Sequence, residues 1–490
     1  MKKFSKVLSI LLSVVLVISS FYLLYQVIRL NVLPSKFLFP LTIGVVVLDA
    51  IFILLLIYFS KNVVSKIICI VLTLFICVAS CMGGYYISKT QNVLSNITNV
   101  AKHAKNTVSV IVKESSSIKN KSQLNDVSVG SLRLNEQGSK KVLKELSGEG
   151  IVLNQTEYDS MTALLEAFYN GEVDSIIINE SSRSQILDME AYSNFDSNTR
   201  VVYQTSYKVK NNDSATSVSD ITSKPFNVLI SGSDTRGGFD ENGRSDVIMI
   251  ATVNPKTHTI LLTSVPRDFY VTTACDAGDG CMQGALDKIT HTGIHGTNTT
   301  KRTVEQLLGI EINYTFKVGF DTVTELVDVL GGVDVYVEPG YATTTSEFSV
   351  HEGVNHLNAQ QALAFARERY SYTEGDRQRT KNQQQVLMGI VKEATKPSVI
   401  TNYAAIMDTM ANTFSTTMSN EEITDLIKYQ LNNNPTWKME QYMVDGTGDT
   451  LMCAELGDAA SVMVPDQSTV KMAKDKINAV LAGKSSEDVK

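Results

Sequence analysis

The 490-residue sequence predicts an α/β protein that follows a membrane anchor of three helices. Three observations carry that expectation. The first 90 residues hold three long stretches almost free of charge. Short apolar runs then alternate with helix-period segments, the pattern of sheets covered by helices. The composition, 43% hydrophobic and 19% charged with nine prolines and 29 glycines, is neither disordered nor fibrous. Six cysteines are too few for a disulfide scaffold at this length.

The apolar stretches are Val7–Ile28, Phe37–Phe59 and Ile67–Ser88, each about as long as the 20 residues that cross a bilayer core. A cleaved signal peptide would be shorter and followed by soluble sequence, so all three are expected to be retained. Lys2, Lys3, Lys6, Lys61 and Lys66 fall on one side, and Arg29, Lys36 and Lys89 on the other. The richer side is the inner one, so the N-terminus is expected to be cytoplasmic and everything beyond about residue 90 extracellular. Asp49 is the one intramembrane charge, and a hydrogen bond to a nearby Ser or to Gln26 accounts for it better than an ion pathway does. Cys69, Cys77 and Cys81 lie in the third stretch and are expected to pack there.

Residues 91–107 are polar and read as a stalk. Over 108–210, strands are expected at Val108–Val112, Ile151–Leu153, Ser175–Ile178 and Val201–Tyr207, and helices at Ser139–Leu146 and Asp159–Asn170. In the second helix Met161, Leu164, Leu165 and Phe168 share a face that ends at Gly171. This is a small accessory α/β domain, expected to have parallel strands and showing no catalytic cluster. The Asn/Asp/Ser/Thr-rich stretch within 211–224 is a linker.

From 225 to 490 a second domain is expected, its C-terminal part completing the fold. Phe226–Ser231, Val247–Val253 and Ile260–Val265 are buried-strand runs, the last two joined by the short turn Asn254-Pro255-Lys256-Thr257. Helices are expected at Thr300–Leu308 and Thr322–Leu330, the latter with Asp321 as N-cap, and strands at Tyr314–Val318 and Val333–Val337 flank it. Helical stretches at Tyr403–Phe414 and Glu421–Leu431 and a strand at Trp437–Val444 follow.

Charges gather at the strand ends. The first strand runs into Ser233-Asp234-Thr235-Arg236, Gly243-Arg244-Ser245-Asp246 opens the second, and the third ends in Pro266-Arg267-Asp268. In an antiparallel meander these ends share one edge, so Asp234, Arg244, Asp246 and Arg267 converge. Ala364–Arg369 alternates, which places Arg367 and Arg369 on one face if the segment is extended. A loop carrying Asp376, Arg377 and Arg379 then leads to a helix opened by Gln383-Gln384-Gln385. Any one of these segments alone reads as a solvated loop or surface ion pair, and it is their conjunction that points to a site. Arginines grip phosphate oxygens bidentately and repel one another unless a polyanion sits between them. Two carboxylates beside them suit Mg²⁺, which takes one or two and completes its shell with phosphate and water. Arginines, two carboxylates and no covalent nucleophile describe phosphoryl transfer.

These pieces, with Asp287-Lys288-Ile289, Gly331-Gly332-Val333-Asp334-Val335, Leu357–Leu363, Arg367-Glu368-Arg369 and Gly375-Asp376 through Gln385, resemble in order and spacing the LytR–CpsA–Psr (LCP) family of cell-wall glycopolymer ligases over residues 225–395. The three spans and the additional outer domain resemble the capsule-associated streptococcal CpsA branch. The resemblance implies an α–β–α catalytic domain whose apolar tunnel holds a polyprenyl chain. It implies Asp234 and Asp246 as Mg²⁺ ligands and Arg244, Arg267, Arg367, Arg369, Arg379 and Gln383 around the pyrophosphate. It further implies that a peptidoglycan hydroxyl attacks the phosphorus nearer the sugar and polyprenyl phosphate leaves. Asp234 is a candidate for the proton acceptor, and Asp268 and Asp376 for orienting arginines. Where the family often has a further arginine, this chain has Thr380-Lys381-Asn382, so Lys381 stays outside the site. The expected partners are the polyprenyl-pyrophosphate-linked glycan, the peptidoglycan acceptor, the membrane and capsule-biosynthesis membrane proteins.

Two other readings use the same residues: a membrane module that senses polyprenyl-pyrophosphate intermediates, favoured by three spans where one would anchor, and a lipid pyrophosphatase with water as acceptor. The acidic balance beyond residue 90 argues against nucleic acid. His291 and His295 have a zinc-pair spacing but no third ligand and read as surface loop. Gly483-Lys484-Ser485 lacks the P-loop's first glycine and preceding strand. Cys275 and Cys281 lie outside the membrane, where a disulfide is open to them, though six residues of spacing do not ensure its geometry.

Overall fold

The computed structural model describes residues 2–59, 62–100, 103–210, 213–233, 241–276, 280–396, 405–406, 409 and 414–490. Asp234 and most of the Tyr403–Phe414 stretch lie outside them. The chain divides into two compact bodies.

The first body contains the helices Lys2–Leu30, Ser35–Leu54 and the Val63–Val100 helix as far as Asn96, together with the helix Asn420–Asn433. Three stretches within it, Lys6–Leu30, Ser35–Tyr58 and Val63–Thr98, are long and apolar enough to cross a membrane. Asp49 accepts a hydrogen bond from Ser20 Oγ on the first helix at 2.9 Å. Cys69 and Cys77 are buried, whereas Cys81 is exposed. The expected stalk is not a separate segment. Helix continues to Val100, with Val93, Leu94 and Ile97 forming a buried stripe, and a strand begins at His103.

The second body holds two sheets. In the first the strands lie in the order Leu153–Tyr158, Val127–Leu132, Ser175–Asn179, His103–Lys113, Thr199–Lys210. The first three are mutually parallel, but His103–Lys113 runs antiparallel to both of its neighbours. The expectation of parallel strands therefore holds for half of this sheet. Residues 114–126 contain only a 3₁₀ turn at Lys121–Gln123 and no crossover helix, so the chain reverses there. The helix Met161–Asn170 starts where Ser160 Oγ accepts the Ala163 amide and stops at Gly171 in the left-handed region (φ 81°). It buries Leu164, Leu165 and Phe168.

The second sheet carries the meander: Phe226–Ser233, Ser245–Asn254 and Thr259–Val265 pair antiparallel in sequence order. Tyr314–Gly319 adds parallel to the first strand after the crossover helix Thr297–Leu308, and Phe414–Thr416 pairs outside it. Lys438–Met443 closes the other edge, parallel to Thr259–Val265. Thr297–Leu308 and Gln467–Leu481 cover one face, packing Val304, Leu308, Ile477 and Val480 with Leu229, Ile250 and Leu261 of the sheet. Opposite, Phe320–Leu330, Ala359–Arg367 and Asp376–Ala394 gather around Val327, Val333, Phe365, Val386 and Ile390. Gln384 Nε2 ties the last of these helices to the sheet by donating to Tyr442 O (2.8 Å) and Leu262 O (3.3 Å). The result is helix, sheet and helix in layers.

One local expectation is corrected. Gly319, not Asp321, is the N-cap of Phe320–Leu330: its amide donates to Thr322 Oγ1 at 3.1 Å, so the helix starts two residues earlier. Val333–Val337 is the expected strand, and it pairs with Gly353–Leu357 in a two-stranded ribbon beside the main sheet's own strands. Cys275 and Cys281 are bonded, with Cα atoms 6.4 Å apart.

Asp213, between the two sheets, is buried and accepts a hydrogen bond from Thr315 Oγ1 at 2.6 Å. Burial pushes its carboxyl up to about 6, against the pull of Thr315 and Lys301. A folded pKa above the unfolded one means a contribution that is complete below about 4 and is lost as the pH rises through 6. Asp213→Asn is therefore expected to stabilise the protein at pH 7.5 by about 1–3 kcal/mol, with the gain fading toward pH 4. Urea melts followed by the single tryptophan, Trp437, check it. An equal or reversed effect at the two pH values would show that the carboxylate is paid no burial penalty there.

Candidate active site

The meander register brings three strand ends together, with Ser233 opposite Ser245 and Ile248 opposite Val265. At that edge Asp246, with 9% of its side chain exposed, is the hub. Its Oδ1 accepts from Arg267 Nη1 at 3.0 Å and from Thr290 Oγ1 at 3.2 Å, while Arg244 Nη2 stands 3.7 Å from Oδ2. Asp268 Oδ2 lies 3.7 Å from Arg267 Nε, and Lys288 Nζ 3.3 Å from Asp268 Oδ1. The helix Asp376–Ala394 supplies the facing wall. Its spacing of three and four residues puts Asp376, Arg379, Thr380 and Gln383 on one side. Together with Asp246 and Arg267 they line a cleft of about 250 Å³, including its opening.

The charge balance is unusual. Arg379 is paired with Asp376, yet burial, helped by the positive fields of Arg267 and Arg369, leaves its pKa below the ordinary arginine value. Burial also pulls on Arg267, but Asp246, Asp268 and Asp376 overcome it and raise its pKa. Arg267 and Arg379, which line the cleft, and Arg244, beside Asp246 at its edge, each keep a buried Nε–H that no acceptor among the described residues satisfies. Three such donors are a standing cost of roughly 1–3 kcal/mol each, relieved by an anion with several oxygens.

A sequence profile described as the LytR_cpsA_psr family matches residues 191–479. The chain belongs to that family. Among relatives of this LytR_cpsA_psr protein, the polyisoprenyl-teichoic acid–peptidoglycan teichoic acid transferase TagU of Bacillus cereus (strain AH820) is 31% identical over 241 residues, 49% of this chain and 76% of the relative. TagU of Bacillus subtilis (strain 168) is 34% identical over 203 residues, covering 41% and 63% of the two chains. Among solved structures, gbs0355 from Streptococcus agalactiae is 25% identical, covers 54% of this chain and 89% of its own, and superposes with a TM-score of 0.45.

Within this LytR_cpsA_psr chain the structure brings Arg244, Asp246, Arg267, Arg379 and Gln383 together. Arg369 is close enough to act on Arg379, and its guanidinium stacks on Tyr370 with 4.6 Å to the ring centre. Arg367 does not line the cleft. The extended reading of Ala364–Arg369 is corrected: Arg367 ends the helix Ala359–Arg367, so it and Arg369 do not alternate along a strand. Asn358 and Gln361 form a reciprocal cap that starts this alanine-rich helix, and Ala362, Phe365 and Ala366 are its buried stripe. The expected loop at Asp376–Arg379 is likewise the first turn of the helix Asp376–Ala394. Arg377 points elsewhere, to Asp445 at 2.8 Å, and Lys381 pairs with Glu338 at 3.3 Å.

The surface-loop reading of His291 and His295 is overturned. Both lie in the 3₁₀ segment Ile289–His295, where His291 Nδ1 meets Asp287 Oδ1 at 2.7 Å and His295 Nε2 meets Glu455 Oε2 at 3.0 Å. Asp287 also takes the Glu455 and Lys288 amides. Burial alone would raise its pKa, but these donors, His291 first, hold it below the usual carboxylate value. Among the described residues no three His, Cys, Asp or Glu side chains cluster as a metal site. Sequence reasoning missed what this segment does: it sends Lys288 and Thr290 into the site. Behind them a chain of buried hydroxyls runs from Ser231 to Ser245 (2.9 Å), Thr300 (3.0 Å) and Thr292 (2.9 Å).

Proposed function

We propose that this protein is a membrane-anchored phosphotransferase that moves a glycopolymer from polyprenyl pyrophosphate onto peptidoglycan, with capsule polysaccharide as the polymer. The observation that carries the reading is the cleft lined by Arg267 and Arg379, with Arg244 beside Asp246 at its edge, each with a buried Nε–H that no acceptor among the described residues satisfies, a setting that suits an anion with several oxygens. Family membership and the teichoic acid–peptidoglycan transferases among its relatives support the acceptor.

In the reaction the acceptor hydroxyl oxygen bonds to the phosphorus bearing the sugar, and the bond from that phosphorus to the bridging oxygen breaks. Polyprenyl phosphate leaves, and the glycan is joined by a phosphodiester. Arg267 and Arg379 hold the diphosphate oxygens and stabilise the charge that grows on the leaving phosphate. Arg244 closes the same anion from the strand edge, and Gln383 donates from the helix wall. Asp246 orients Arg267 and, with Asp234 adjacent in the motif, would hold Mg²⁺. Its Oδ2 fits that task, since Arg267 donates to the other oxygen and Arg244 Nη2 stands 3.7 Å from Oδ2, beyond hydrogen-bond reach. Bound there, the metal would neutralise phosphate charge. Three apolar helices anchor the chain in the bilayer, where a polyprenyl carrier resides, and the lysine-rich N-terminal flank supports a catalytic body outside the cell.

The test incubates the full-length protein in detergent with Mg²⁺, a labelled polyprenyl-pyrophosphate oligosaccharide and peptidoglycan fragments. Label joined to the fragments only when these are present is the expected result. Release of polyprenyl phosphate without acceptor would point to hydrolysis instead, and tight lipid binding without turnover to a sensor.

A further inference from the structure

The accessory sheet is docked around the site rather than tethered beside it. Glu241, three residues before Arg244, takes hydrogen bonds from Lys105 Nζ at 3.0 Å and Thr107 Oγ1 at 2.5 Å. Leu456 O accepts both the amide (3.1 Å) and the hydroxyl (3.0 Å) of Thr162, and Met189 packs against the cluster of Cys453, Leu456 and Val462. A Cβ on Gly457 would fall 2.1 Å from Ser160 Cβ, so the two surfaces meet without a gap.

At the centre of this contact Arg244 Nη1 is ion-paired with Asp188, the last residue of the short accessory helix Arg183–Asp188. The two partners differ in setting. Arg244 has 11% of its side chain exposed, faces Asp246 only at 3.7 Å and keeps an unsatisfied Nε–H. Asp188 is 61% exposed and can turn into solvent without a burial cost. The easily released partner is thus the carboxylate, and the guanidinium it leaves remains beside Asp246, which lines the cleft.

We propose that Asp188 is a built-in counter-ion for Arg244, an anion from the accessory sheet that a diphosphate must displace before it is fully held. The inference rests on the transferase reading of the site. In this arrangement the accessory domain sets how readily the site loads. A weak or singly charged anion gains too little from Arg244 to evict Asp188, whereas a diphosphate repays the exchange with several oxygens at once. The pair also screens Arg244 from Arg267 while the site is empty.

The experiment titrates geranyl pyrophosphate with Mg²⁺ into the full-length protein in detergent, by calorimetry. Asp188→Asn keeps the shape of an exposed side chain and removes its charge, and is expected to tighten binding about three- to fivefold, the scale of an exposed ion pair. Glu190→Gln, which removes an exposed charge two residues away, is expected to leave the affinity unchanged. Unchanged or weaker binding by Asp188→Asn overturns the proposal, the weaker case making Asp188 a residue that positions Arg244. Equal tightening by both variants overturns it too, because general charge would then be the cause. Binding by the wild type that Arg267→Ala does not weaken sinks the transferase reading, and this inference with it.

Discussion

Arg267→Ala is expected to lower glycopolymer transfer by about a thousandfold or more, the scale of losing a preorganised donor to a developing oxyanion. Arg267 is the residue through which the site's carboxylates communicate: it donates to Asp246 at 3.0 Å, faces Asp268 at 3.7 Å and lies within the field of Asp376. Its removal takes away both the fork that the proposed mechanism sets on the diphosphate and the charge that makes a buried Asp246 tolerable. Some loss of stability therefore accompanies the loss of activity, since an unpaired buried carboxylate costs several kcal/mol. Arg267→Lys separates the two effects. It retains the charge beside Asp246 and should melt near the wild type, but a lysine cannot present two parallel donors, so transfer should still fall by about a hundredfold. Transfer at wild-type rates by Arg267→Ala, in the assay with peptidoglycan fragments, would remove this arginine from the mechanism.

Gly293→Ala should give the largest structural effect of any single methyl addition at the site. An alanine Cβ there would stand 2.5 Å from Gly243 O, Ser245 N and Ser245 Oγ, two of them backbone atoms that cannot turn aside. The 3₁₀ segment Ile289–His295 would have to lift from the start of the Ser245–Asn254 strand. That movement breaks the Thr290–Asp246 bond and the Ser245–Thr300–Thr292 hydroxyl chain. Overpacking plus stranded buried hydroxyls implies a loss of about 2–4 kcal/mol in urea unfolding. Gly148→Ala serves as comparison, because nothing lies within 4 Å of its added Cβ, and should be close to neutral. A Gly293→Ala melt within about 0.5 kcal/mol of wild type would contradict the packing described.

The parts of the fold that could be read from the sequence are those in which one chemical period runs unopposed. The apolar helices are visible because charge is all but absent over more than 20 residues, and the meander because each strand is mostly apolar and one join is a four-residue turn. Where two periods compete over six residues the reading failed. Ala364–Arg369 alternates like a strand, but the signal that decides it, the Asn358–Gln361 cap, lies upstream. Asp376 and Arg377 look like loop residues because charges dominate them; that they open a helix depends on Gln378, Asn382 and Gln384 being buried polar residues. Strand direction in the accessory sheet leaves no trace in residue type. The partnership of His291 with Asp287 is hidden for another reason. A carboxylate four residues away looks the same in sequence whether the pair is buried or solvated.

The candidate site divides in the same manner. Asp246 and Arg267 could be placed from the meander alone, since adjacent strand ends must share an edge. Thr290 and Lys288 could not, because the segment that carries them has no regular period, and its position depends on a backbone contact at Gly293.

The Lys438–Met443 strand bears on how the chain is made. Its neighbour Thr259–Val265, buried at every residue, is synthesised some 170 residues earlier and cannot be paired on that side until the C-terminal segment emerges. The helix Gln467–Leu481, which covers one face of the same sheet, comes later still. An unpaired edge therefore persists while about 170 of the 490 residues are made, a template for aggregation with any extended chain nearby. A chain stopped fifty residues early would lack that helix and half of that strand, and the edge would stay open.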